Sequence, residues 1–189
     1  MGARNALIEG ISGTGKTTVA EALTRRGHHV IHGDRALSYS GDPATGQPLR
    51  EPAHESDAAR AEWRHAHHIW DIGTVRSLMA DHRHPITFFC GGSRNFHRFI
   101  DGFDEVFVLH VDAGTLSRRL AARPIDNFGA TPAERALVMR LHATQGDIPQ
   151  HAIRIDATAP IDHVVGEILA RCGEAATDCS WRGSDEMTR

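Results

Sequence analysis

Lysine is nearly absent from this chain: of 21 basic residues one, Lys16, is lysine and the rest are arginine. Cysteine is scarce too. Cys90, Cys172 and Cys179 are too few and too scattered for a disulfide framework or a zinc site, so a reduced, cytoplasmic protein is expected. No apolar run approaches the ~20 residues that span a bilayer. Met1 to Glu9 lack the basic and apolar stretches of a signal peptide, and no membrane partner is expected. A net charge of -3 and a pI near 6.5 provide no global field for nucleic acid. What is present is a balanced composition, 40% hydrophobic and 24% charged over 189 residues. That suffices for one domain with a real core and excludes a disordered chain.

The lone lysine lies in the most informative segment. Gly10-Ile11-Ser12-Gly13-Thr14-Gly15-Lys16-Thr17 is a G-x-x-x-x-G-K-[ST] phosphate-binding loop, followed by Thr18. An apolar strand pattern, Ala6-Leu7-Ile8, precedes it. A helical pattern follows, with Val19, Ala20 and Leu23 on one face. Glycines let the backbone aim its N–H groups at phosphate oxygens, and the helix adds its positive end. Lys16 can reach β- and γ-phosphates, and the Thr17 hydroxyl can ligate Mg²⁺.

The remainder alternates. Strands are expected over 5–9, 29–33, 85–90, 105–111 and 152–156. Helices are expected over 15–26, 57–69, 71–81, 94–102, 115–123, 131–145 and 160–171. Thr131-Pro132-Ala133-Glu134 is a capping box with proline at the first helical position. Such alternation implies an α/β fold with a five-stranded parallel sheet covered by helices on both faces. Ligands in such folds bind beyond the carboxyl ends of the strands.

Those ends nominate the remaining candidates. Asp34 and Arg35 follow the second strand; Asp34 can accept a hydroxyl proton or hold water on Mg²⁺, or simply cap the next turn. Cys90-Gly91-Gly92-Ser93-Arg94 follows the third strand. Its glycines permit close approach, and Arg94 can clamp an anion. Arg119 and Arg123 stand four apart on one helical face, where like charges repel unless something anionic compensates them. His65, His67 and His68 read as a solvated helix face. Trp63 and Trp70, seven apart, read as sharing a helical face in the core.

Together these pieces resemble the P-loop kinases of the adenylate kinase, shikimate kinase and gluconate kinase group, over about residues 4–171. The overall pattern is most like predicted broad-specificity nucleoside monophosphate kinases. The resemblance implies a three-layer P-loop NTPase fold with a short lid. It assigns 1–172 to a kinase domain, 35–81 to an acceptor-binding insertion, 124–130 to the lid and 173–189 to a polar tail, in which Trp181 can dock. Adenylate kinases end the third strand in D-G-F-P-R; here Cys90 stands in place of the acid, whose role Asp34 can assume. Leu116-x-x-Arg119-Leu120-x-x-Arg123 resembles the start of the lid, with Arg119 against adenine and Arg123 on phosphates. Arg140-Leu141 resembles the pair that follows it. Asp156-Ala157-Thr158-Ala159-Pro160 resembles the adenine loop.

The implied activity is transfer of the γ-phosphate of MgATP to a nucleotide or nucleoside, by a monomer or homodimer. Catalysis falls to Lys16, Asp34, Arg94 and Arg123, and Mg²⁺ to Thr17 and Asp34. The acceptor falls to Asp34, Arg35, Gly91, Gly92 and Arg94. Two alternatives stay open: a kinase of a small-metabolite alcohol, and an ATP-binding protein without kinase activity, which would lack acceptor space. A regulatory GTPase is disfavoured, because its N-K-x-D motif needs a second lysine.

Overall fold

The computed structural model describes residues 3–125 and 127–173. Five strands form a parallel sheet: β1 (Arg4–Glu9), β2 (His29–His32), β5 (Ile86–Cys90), β6 (Glu105–His110) and β7 (Ile153–Asp156). Their order is β2-β5-β1-β6-β7, which puts the strand before the phosphate loop at the centre. Helix α1 (Lys16–Arg25) follows the loop. The chain then forms a single turn, α2 (Gly33–Ala36), and the helices α3 (Asp57–Ala66) and α4 (Ile72–Met79). Helices α5 (Ala113–Ala121), α6 (Pro132–Thr144) and α7 (Ile161–Arg171) complete the fold. All five expected strands are present.

Side-chain alternation along the central strands builds two cores. Ala6 and Ile8 of β1, with Phe88 of β5, join Leu23, Leu116, Val165 and Ile168 on one face. Leu7 and Phe89 point the other way, against Trp70, Val75, Phe99 and Phe103.

Two expected helices give way to other structure. The helix expected over 57–69 stops at Ala66, and β4 (His68–Trp70) pairs antiparallel with β3 (Ser38–Ser40) in a two-stranded ribbon. Trp70 is therefore a strand residue, stacked on Phe99, while Trp63 stacks on His67. The two tryptophans share no face. The cause lies far along the chain. Asn95 accepts from the Trp70 N–H at 3.0 Å and donates to its carbonyl at 2.9 Å, so its side chain acts as a third strand for Trp70.

The helix expected over 94–102 is likewise two 3₁₀ turns, Phe96–Arg98 and Ile100–Gly102. Phe99 and Phe103 still reach the core by that route. A continuous helix would carry Asn95 away from the ribbon it holds. Residues 174–189, including Trp181 and nearly all of the expected tail, lie outside the described residues.

Candidate active site

The loop between β1 and α1 takes its shape from its glycines. Gly10, Gly13 and Gly15 have φ of 152°, 94° and 111°. A Cβ on Gly10 would come within 2.6 Å of the Thr14 hydroxyl, and one on Gly13 within 2.8 Å of Leu116. The first turn of α1 contains no acid, and Gly15 offers its N–H groups no side-chain cap. They remain open to an anion, as a phosphate cradle requires. The Lys16 ammonium donates to the Gly10 and Ile11 carbonyls. Burial pushes its pKa below the usual lysine value, although Asp34 and Glu9 pull the other way.

Asp34 does not act as a cap. Helix α2 begins after His32 without a side-chain cap, and Asp34 Oδ1 instead accepts from the Gly92 N–H at 2.9 Å. His68 Nε2 lies 3.4 Å from the same oxygen. Burial opposes its charge, yet His68, Lys16 and the Gly92 N–H together hold the carboxyl below its usual range. Gly91 makes room for it, since a Cβ there would meet Asp34 at 2.6 Å, while Gly33 makes room for the Trp70 ring, which a Cβ there would meet at 2.1 Å. Gly91 thus backs Asp34 rather than facing a ligand. Cys90 is buried, and burial pushes its thiol pKa far up, so it supplies no charge in place of the missing acid.

Helix α5 stops at Ala121, so Arg119 lies within it and Arg123 just beyond its end, and both reach the phosphate loop. Arg119 donates to the carbonyls of Thr14 (2.9 Å) and Ala157 (2.8 Å), stapling the phosphate loop to the segment after β7. Arg123 donates to the Ser12 hydroxyl at 2.8 Å, which itself donates to the Phe128 carbonyl at 3.1 Å. Neutral protein oxygens receive both guanidinium groups. The end of the 124–130 stretch is pinned as well, since Glu134 accepts from the Gly129 N–H at 3.0 Å. Arg140, of the Arg140-Leu141 pair, is joined to Glu62 on α3.

Two cavities adjoin across the loop. The first, about 540 Å³, is lined by residues 12–19, Arg119, Ala157, Ala159 and Ile161. The second, about 410 Å³, is lined by Gly10, Ser40, Arg64, His65, His68, Gly92, Arg94, Asp147 and Ile148. Ser12, Lys16, Thr17, Asp34, Arg35 and Arg123 line both. Thr158 and Pro160 line neither: Thr158 turns back onto Asp156, and Pro160 starts α7.

Several residues here escaped the sequence. His65 and His68 are half-buried cavity residues rather than a solvated face; His65 Nε2 lies 2.5 Å from Asp147. Arg94 is clasped between Glu9, at 3.3 Å, and Asp147, whose carboxylate lies at 3.2 Å and whose carbonyl accepts at 3.0 Å. Asp147 follows α6 in an aperiodic stretch with no local signal. Glu9 was visible as an acid closing an apolar strand. Among the described residues no cluster of three or more His, Cys, Asp or Glu could hold a metal, and no helix is long and apolar enough to cross a membrane.

Comparison with known proteins agrees with this architecture. The family described as AAA domain matches residues 7–136. A gluconokinase of Gluconobacter oxydans is 37% identical over 125 residues, 62% of this chain and 64% of that protein, so the chain spans under two thirds of that relative. A gluconokinase structure from Sinorhizobium meliloti superposes with a TM-score of 0.51 at 21% identity, covering 88% of this chain and 90% of that one. A shikimate kinase structure from Bacteroides thetaiotaomicron gives 0.54 at 16% identity, with 90% and 98% covered. These two share the fold. The chain belongs to the AAA domain family and has the P-loop fold of these kinases.

Proposed function

We propose that this protein is an ATP-dependent small-metabolite kinase that phosphorylates a hydroxyl group of a sugar-acid acceptor of the gluconate class. One observation carries it: the donor and acceptor cavities meet at Lys16, Thr17, Asp34 and Arg123. A protein that only bound ATP would not need the second cavity. That cavity mixes Arg35, Arg64, Arg94 and two histidines with Asp34, Asp147 and Ser40. Such a lining suits a small, hydroxylated anion. The identity to a gluconokinase favours this acceptor over the nucleotide first expected.

The residues fit MgATP. The glycine loop offers the cradle, and an exposed threonine hydroxyl with one carboxylate is the sparse protein contribution that Mg²⁺ commonly takes beside phosphates. Bound MgATP supplies the γ-phosphoryl group, which joins the acceptor oxygen as its bond to the bridging oxygen breaks. Asp34, held ionised, takes the acceptor hydroxyl's proton or orients Mg²⁺ with Thr17. Lys16 and the loop N–H groups hold the β- and γ-phosphates. Arg119 fixes the donor side, and Arg123 offsets charge between the cavities. Arg94 grips the acceptor's anion from the far side. On this reading residues 35–81 form the acceptor insertion and 124–130 a short lid.

An ADP-release assay with D-gluconate, other aldonic acids, shikimate and nucleoside monophosphates tests this. Turnover fastest with an aldonic acid is expected. Preference for a nucleoside monophosphate would restore the nucleotide acceptor, and ATP binding without turnover of any acceptor would leave only a binding protein.

A further inference from the structure

Glu9 is an anomaly within its strand. It ends β1, whose preceding residues Ala6, Leu7 and Ile8 are core, and it is itself only 1% exposed. Its Oε1 meets Arg94 Nη2 at 3.3 Å, while its Oε2 is buried with no hydrogen-bond partner. Apolar residues of similar volume often replace buried ion pairs without loss of stability, so folding alone does not require an acid here. An oxygen left unpartnered makes the choice costlier still.

The two acids on Arg94 differ in kind. The Asp147 side chain is 34% exposed, lines the acceptor cavity and is shared with His65. The Glu9 side chain is 2% exposed and stands behind Gly92. A carboxylate arriving in the cavity can replace Asp147 on the guanidinium, because both approach from the open side. It cannot displace Glu9. Arg94 is further fixed through its backbone, whose N–H donates to the His68 carbonyl at 2.9 Å.

We propose that Glu9 is a positioning residue: it anchors the Arg94 guanidinium from behind, so that its cavity side is presented to the acceptor's carboxylate and Asp147 yields to that group. This rests on the acceptor cavity assigned above and adds a residue to it. Glu9 sets acceptor affinity and leaves the transfer step to Lys16, Asp34 and Arg123.

The experiment compares the wild-type protein with Glu9→Gln and, in case the amide packs poorly, Glu9→Met. Steady-state kinetics with D-gluconate and MgATP are measured beside the ¹⁵N–¹H signal of the Arg94 Nε group, identified by its loss in Arg94→Lys. The expected result is a KM for gluconate raised about tenfold or more, with kcat and the KM for ATP within about threefold. The Arg94 signal should shift and broaden in both variants without any acceptor. An unmoved Arg94 signal overturns the proposal, as does a loss confined to kcat. If the wild-type protein fails to phosphorylate gluconate, the function fails separately, and the Arg94 signal still decides whether Glu9 holds the arginine.

Discussion

The phosphate loop and the acceptor insertion are built on opposite principles. The loop, residues 10–17, is a site made of backbone. Its glycines, its N–H groups and the start of the helix behind it lie within eight consecutive residues. The proposed acceptor cavity is lined by side chains drawn from α2, β3, α3, β4, the loop after β5 and the stretch after α6. A backbone site depends on a few exact dihedral angles, so it is intolerant of change and easily spotted. A side-chain site depends on which distant segments meet, so its specificity can change while the fold stays.

Four perturbations probe that contrast. The largest effect is expected from Lys16→Ala, which should lower turnover by at least ~1000-fold, since one charge serves both cavities. Circular dichroism should find the fold intact; undiminished ADP release would remove the kinase assignment. Asp34→Asn should follow, with turnover down ~100-fold. Its melting temperature should change little, because the carboxylate caps no helix. A destabilised variant with a normal rate would show the Gly92 contact to be merely architectural.

Asn95→Ala attacks the ribbon by removing the amide that bonds both main-chain groups of Trp70, leaving its N–H only the Ser93 hydroxyl at 3.2 Å. It should cost about 1–3 kcal/mol in denaturant unfolding. The KM of the acceptor should rise more than that of ATP; an equal rise would mean that the two sites are one mechanical unit.

The smallest effect is a pH dependence. Burial raises the Glu9 pKa from 4.5 to about 7, against the pull of Arg94 and Lys16. The folded state thus keeps a proton that the unfolded state has released, and stability falls as pH rises through that window. Glu9→Gln avoids this loss. Its melting temperature relative to wild type should climb between pH 5 and 7 and level off above. A gap that stays flat across the range would show that Glu9 is ionised throughout.

How much of this was legible in sequence follows the same division. The five strands, the capping box at Thr131 and the phosphate loop were readable, because each is specified by neighbours in the chain. The β3–β4 ribbon was not. His68-Ile69-Trp70 continues a helical pattern locally, and the partners that hold it as a strand, Ser93, Arg94 and Asn95, lie some 25 residues away. The 3₁₀ turns at Phe96–Gly102 were hidden for the same reason. In the site, Asp34 and Arg94 were found from their places at strand ends, whereas Asp147 enters through a tertiary contact with no local signature. Gly91 and Thr158 show the converse error. Both sit beside cavity-lining residues in sequence, yet one backs Asp34 and the other folds onto Asp156.

The solitary lysine has one further consequence. An amine-directed acylating reagent has a single side-chain target in this protein, Lys16, apart from the chain's amino terminus. That target stands on the wall common to both cavities. A peptide map that separates the Lys16 adduct from the amino-terminal one would therefore report site occupancy, with no engineered tag and no competing lysine. Any molecule that protects this position would identify itself as a visitor to the reaction centre.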